Sequence, residues 1–312
     1  MADLLLMGVR FALFAVLMLI AGLAAFPIHA LKPGERQDPE LGSILSRPMR
    51  WLCAAALFLS LMGMAVLTAS MQGIGIFAID PAMVVALVGE TDVGVAWLVR
   101  MAALLVATVA AFRIARNPVA ATMIAAAAGA VALATLAWSG HAGASEGTAG
   151  WIHRASDTLH MIAAAIWLGA IAGFLLLLRP GEPVAKDRLA MTARSLDRFA
   201  PVGTLCVLLI AATGLVNGQM IVGAANIGRS IASPYGQLLA IKLVLFAAML
   251  ALAAANRWRL TPALGRAFDE PDTDPASAAR AMRRSLILEA LAGLAILALV
   301  AWFGMLEPFN PA

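Results

Sequence analysis

A chain of 312 residues with 62% hydrophobic and only 13% charged side chains is not an ordinary soluble domain, where roughly half of the residues are apolar and about a quarter charged. With a mean hydropathy of +0.90 it reads as an integral membrane protein, and no polar stretch is long enough to fold by itself, so residues 1–312 are expected to form a single membrane-embedded domain. The formal net charge of +4 argues for no nucleic-acid partner, because its placement follows the connections between hydrophobic segments.

A bilayer core of about 30 Å takes about 20 apolar residues of helix. Eight segments meet that length, at about 4–26, 51–70, 92–112, 118–138, 153–178, 199–219, 235–255 and 284–305. The expected fold class is therefore all-α, a polytopic membrane protein with eight transmembrane helices. Polar connections separate the segments, the longest being "KPGERQDPELGSILSRP" and "RLTPALGRAFDEPDTDPASAARAMRR". No internal repeat is apparent.

Basic residues fall on alternate connections. Lys32, Arg36, Arg47 and Arg50 follow the first segment, and Arg113 and Arg116 the third. Arg179, Lys186, Arg188, Arg194 and Arg198 follow the fifth; Arg257, Arg259, Arg266, Arg280, Arg283 and Arg284 follow the seventh. These are 17 of the 22 Lys and Arg residues, whereas the opposite connections hold only Arg154 and Arg229. By the positive-inside rule the rich side is cytoplasmic and both termini are extracytoplasmic. The run "LMLIAGLAAF" also has the character of a signal peptide with a small-residue cleavage site. Cleavage there would leave 27–50 as an exported tail and break the charge alternation, so an uncleaved first helix is the reading. Cys53 and Cys206 stand alone in apolar runs, without a CxxC or CPC pattern, and read as buried small hydrophobes.

The stretch "SGHAGASEGTAGWIHRASDTLHMIAAAIWLG", Ser139 to Gly169, holds three of the four histidines. It opens the fifth helix at the extracytoplasmic surface, with Trp151 as an interfacial anchor. At about 100° per residue, His153, Asp157 and His160 share an arc of about 60° on one helix face. The rise from His153 to His160 is about 10.5 Å, awkward for one ion to bridge. The residues therefore read as a ladder of ligands, or as one site completed by His141 in the preceding loop. Imidazole suits copper, zinc, iron and nickel, and a carboxylate beside it can ligate or orient a ring. Met161 and the outer-end Met71, Met83, Met220 and Met305 offer thioethers suited to Cu(I). The plainer alternative has these histidines finishing helix ends by bonding water or carbonyls. Clustering around an aspartate within a membrane helix, where ionisable groups mark sites and pathways, favours ligands. His29, at the opposite end of the first helix, reads as an interfacial residue.

The run "SGHAGASEGTAGWIHRASDTLHMIAAAIWLGA" resembles the hallmark of the copper resistance protein D (CopD) family of bacterial inner-membrane proteins. So do "SPYGQLLAIKLVLFAAMLALAAANRWRLTP" and "RRSLILEALAGLAILALV". The resemblance covers the chain from about 130 onward, and the first three helices match in general character only. It implies an eight-helix protein associated with copper uptake across the inner membrane, often paired with the periplasmic copper carrier CopC. On it, His141, His153, Asp157 and His160 are copper-site candidates, and Tyr235, Lys242, Asn256 and Glu289 are family-motif positions. No CopC-like domain is fused here, so the expected donor is a separate protein.

Arg10, Arg100 and Lys242 each lie about 10 Å into a helix from its outer end. They either snorkel to the headgroups or neutralise Asp157 or an anionic group such as a haem propionate or quinone oxygen. Glu289 enters from the cytoplasmic end, with Arg257 or Arg259 as expected partner. No GxxxxGK[ST] or DKTG motif is present, so a copper permease would work passively, by proton coupling or by handover between carriers, and no enzymatic activity is expected. A haem-binding or quinone-linked redox protein is the alternative, although His153 and His160 share one face and cannot clamp one haem between them. A non-transporting copper sensor or delivery factor is the third reading. Below His160 the helix continues "MIAAAIWLGAIAGFLLLL", which is dry, so a polar lane would need Thr204, Thr213, Asn217 or Gln219.

Overall fold

The computed structural model describes residues 2–139, 143, 146–179, 186–269 and 274–306. In chain order the helices are α1 (Ala2–Ala30), α2 (Pro39–Gln72), α3 (Pro81–Glu90), α4 (Asp92–Arg113), α5 (Pro118–Ala134), α6 (Gly147–Leu177), α7 (Lys186–Ile221), α8 (Ile227–Ala232), α9 (Pro234–Ala255), α10 (Thr261–Asp269) and α11 (Pro275–Phe303). Among the described residues there is no strand. Among the described residues eight helices are long and apolar enough to cross a membrane, and the protein is an all-α, multi-pass membrane protein. Helices α3 and α8 are short additions on the side opposite the basic connections.

Several helices begin well before the apolar segments that mark them in the sequence. Helix α2 starts at Pro39 instead of about 51, and α7 at Lys186 instead of about 199. The cause is local. Asp38, Asp80, Asn117, Ser233 and Asp274 each stand before a proline and accept a hydrogen bond from a backbone N–H of the first turn. An N-cap followed by proline at the first helical position is a start signal that costs no hydrogen bond. The stretches read as connections are therefore partly helical, and α2 and α7 project past the apolar zone on the basic side. There the projections are tied by Arg188 to Glu40 at 3.1 Å and Arg194 to Glu35 at 3.0 Å. Such exposed pairs contribute little, so Arg188→Ala should lower thermal stability by no more than about 1 kcal/mol, read from detergent unfolding curves.

Helix α1 is the centre of the bundle. It packs against α6, α5 and α2 and touches α11 and α7. Of its apolar window 61% is buried, against 6% for the Pro234–Ala267 span at the periphery. The segment that has a signal peptide's composition is thus a core element. The α1–α6 crossing is close because it is built on glycine. A Cβ at Gly22 would lie 1.8 Å from the Ala165 carbonyl oxygen, and one at Gly169 2.0 Å from Gly22 carbonyl carbon. Small residues allow this approach, which in lipid drives association through packing. The crossing fixes the rotation of α6, and with it the direction of the His/Asp face.

Candidate metal site

Helix α6 enters from the side opposite the basic connections. Trp151 is exposed, with the Arg154 guanidinium 4.8 Å from its ring centroid and Trp138 edge-on at 6.5 Å. This is an interfacial anchor of the expected kind. Below it, α6 turns its polar face toward α7. Ser156 Oγ donates to the Thr213 carbonyl at 3.3 Å. Asn217 Nδ2 donates to Asp157 Oδ1 at 3.3 Å. His160 Nδ1 lies 3.0 Å from Thr213 Oγ1.

The last of these contacts suits an Nδ1–H tautomer of His160. The Thr213 hydroxyl proton is directed to the Leu209 carbonyl at 2.5 Å, so Oγ1 accepts from His160 Nδ1–H. A neutral His160 then carries its lone pair on Nε2, the arrangement in which an imidazole ligates a metal while its other nitrogen is held by a partner. Gly214 sits against the ring, with Cε1 3.7 Å from where its Cβ would be. Thr213 and Asn217 are a turn apart on α7, matching the spacing of His160 and Asp157 on α6. From α9, Lys242 acts electrostatically on both Asp157 and His160. Its Nζ also lies 5.7 Å from the Phe303 ring centroid, and the same ring packs edge-on against Tyr235 at 5.2 Å. Lys242 thus lies near both the His/Asp seam and the Phe303–Tyr235 ring pair.

The expected ligands are thus partly brought together. Asp157 and His160 share one seam with Thr213, Asn217 and Lys242. His153, one turn nearer the surface, is buried. His141 lies outside the described residues. Among the described residues no three His, Cys, Asp or Glu side chains gather as a metal site. Of the methionines, Met161 is buried in the core formed with α1 and α5, which makes it packing, while Met71 and Met83 are exposed. Of the residues named for a polar lane, Thr213 and Asn217 line the seam. Thr204 accepts from Arg257 at 2.8 Å near the basic end, and Gln219 accepts from the Ala224 backbone N–H.

Other expectations are corrected. Glu289 bonds Asn256, not Arg257 or Arg259, because it is buried while both arginines are exposed. Arg100 is buried within the bundle instead of snorkelling. The Arg10 guanidinium lies beside Gly304, 3.1 Å from the position of a Cβ there, which places the start of α1 and the end of α11 on the same side. His29 packs on Phe199 and Phe26 with ring centroids at 5.2 and 6.1 Å, and both its ring nitrogens are buried without a hydrogen bond. It is less interfacial than its position suggests.

Comparison with known proteins extends the resemblance over the N-terminal half. Residues 1–151 match the family described as copper resistance protein D-like, N-terminal domain, and residues 193–303 match copper resistance protein D. The seam residues of α6 fall between the two matched regions. Copper resistance protein D of Pseudomonas syringae pv. tomato is 38% identical over 313 residues, covering 99% of this chain and 98% of that protein. Inner membrane protein YebZ of Escherichia coli is 30% identical over 175 residues, 56% of each chain. Copper transport protein CutJ of Bacillus subtilis is 35% identical over 121 residues, 38% of this chain and 21% of that one. No solved structure matches. An eight-span bundle with a His/Asp seam at one end, similar along its whole length to a copper resistance protein, belongs to the copper resistance protein D family.

Proposed function

We propose that the protein is a copper permease of the bacterial inner membrane that takes the ion from the periplasm at the α6–α7 seam and passes it toward the cytoplasm. The observation that carries this reading is the His160–Thr213 pair, which leaves Nε2 of an intramembrane imidazole as the lone-pair nitrogen beside the Asp157 carboxyl. The distribution of Lys and Arg supports the orientation, with the seam facing outward and both termini extracytoplasmic. The names of the relatives support the cargo and the membrane.

In this reading His153 and His141 receive the ion nearest the surface, and His160 and Asp157 hold it deeper. A separate periplasmic copper carrier of the CopC type delivers it. Asn217 and Thr213 orient the two deeper ligands, the role that outer partners play at metal sites. When protonated, Lys242 offsets part of the charge of Asp157, so the seam holds a cation without trapping it. The protein performs no chemistry on its cargo.

The test is copper content of the purified protein together with copper uptake into proteoliposomes. His153→Ala combined with His160→Ala should abolish stoichiometric copper and reduce uptake at least tenfold, about 1.4 kcal/mol of lost binding. Wild-type copper content and uptake in that variant would refute the assignment.

A further inference from the structure

A second polar group lies deeper in the bundle, apart from the seam. Glu289 on α11 is 2% exposed and sits about 21 Å along the helix from either end. Its carboxyl accepts from Asn256 Nδ2, and Trp167 on α6 is a neighbour. Asn256 is the first residue of a five-residue π-helical turn, Asn256–Leu260, that interrupts the passage from α9 to α10. Such turns are rare and are frequent at functional sites. Asn256 Oδ1 is buried and makes no hydrogen bond among the described residues.

A buried carboxyl at this depth is costly unless it does something, and no ion pair explains it. Helices α1, α6, α9, α10 and the π turn pack against α11. On α6 no ionisable side chain follows His160 before the helix ends at Leu177. Lys242 on α9 is about 21 Å along the helix from Asn256. On the π turn, Arg257 and Arg259 are exposed, and Arg257 donates to Thr204. Helix α10 carries Arg266, and α1 carries Arg10 and His29 near its opposite ends; the side chains of Asp3 and Asp269 lie outside the described residues. On α11 itself Arg280, Arg283 and Arg284 precede Glu289 toward the basic side. What acts on the carboxyl is burial, with the Asn256 amide in contact and Trp167 nearby.

We propose that Glu289 is a proton-binding site of the transport cycle, set between α6, α9 and α11 and separate from the metal seam. The coupling rests on the permease reading above; the proton site does not. The group that meets the carboxylate is the Nδ2–H donor of Asn256, which ligates no cation, whereas a proton needs no cavity. The carboxamide of Asn256 serves both forms of the carboxyl. As a carboxylate, Glu289 accepts from Nδ2–H. When a proton adds to a carboxylate oxygen, the new O–H donates to Oδ1, the atom now without a partner, after a rotation of the amide. Neither form leaves both groups unsatisfied, so proton uptake and release are not penalised by a lost hydrogen bond. Trp167 lies on the same face of α6 as His160, two turns deeper, which gives the metal seam and the carboxyl a common rigid element.

The test uses the full chain in proteoliposomes with an imposed pH gradient, alongside infrared difference spectra of the purified protein. In the wild type, copper accumulation should respond to the gradient by up to about tenfold per pH unit for one coupled proton. Glu289→Gln should bind copper as the wild type does and lose that response; a retained response overturns the proposal. Should that variant fail to fold, the wild-type spectrum decides. A protonated-carboxyl band that titrates and shifts in Asn256→Ala supports the site, and a band absent at every pH overturns it. Wild-type protein that binds no copper would sink the permease reading while leaving the infrared result to stand or fall separately.

Discussion

Gly169→Leu should leave almost no folded protein in the membrane. At this position α6 touches the backbone of α1, and even a methyl group would lie 2.0 Å from Gly22 carbonyl carbon. Backbone cannot rotate away as a side-chain tip can, so the helices must separate or shift in register. Lipid tails are as apolar as the helix faces, so the dispersion lost at the crossing is not returned by a hydrophobic term. Because α1 also holds α2, α5 and α11, the damage spreads through the bundle, and a loss above about 3 kcal/mol is expected, at the upper end for overpacking. Gly218→Leu is the control. Nothing lies within 4 Å of a Cβ at Gly218, so that change should stay within about 0.5 kcal/mol. Thermal unfolding in detergent and the monodisperse fraction on gel filtration measure both. A Gly169→Leu protein as stable as the control would mean that α1 and α6 do not cross where the structure places them.

The second large effect is electrostatic and has opposite signs at two positions. Asp157→Asn should weaken copper binding, and Lys242→Met should strengthen it, each by about tenfold in a site of low dielectric. Asp157 is the carboxylate of the seam, and Lys242 is the fixed cation that acts on it and on His160. Stability should move differently from affinity. Asp157→Asn removes the carboxyl on which Lys242 acts, and a buried cation left without a nearby carboxylate is costly. The double variant should therefore be more stable than Asp157→Asn alone. Competition with a copper chelator gives the affinities and detergent unfolding gives the stabilities. Weaker copper binding in Lys242→Met would show that the lysine supports the site instead of opposing the cation.

The spans were readable because a bilayer demands about 20 apolar residues per crossing, and the alternating Lys and Arg residues were readable because they are counted, not folded. The helix starts were also written in the chain, as Asp38–Pro39, Asp80–Pro81, Asn117–Pro118, Ser233–Pro234 and Asp274–Pro275. Those before α5 and α9 coincide with the starts of the apolar segments at about 118 and 235, whereas Asp38 and Asp274 stand in polar stretches that a hydropathy reading takes as breaks. Thr213 and Asn217 were visible as polar residues on α7, but their pairing with His160 and Asp157 was not. Glu289 was assigned to the nearest arginines by charge, and burial gave it to Asn256 instead.

The sequence by itself determined the membrane class, the number of crossings, the basic side and a His/Asp face on one helix. Only the tertiary structure decided which helix that face meets, which cation reaches it and where the deep carboxyl finds its partners. The physical reason is rotation about the helix axis. Helices that are apolar all round carry no strong signal of which face turns inward, and glycine contacts such as Gly22 with Gly169 set that rotation only once the two helices meet.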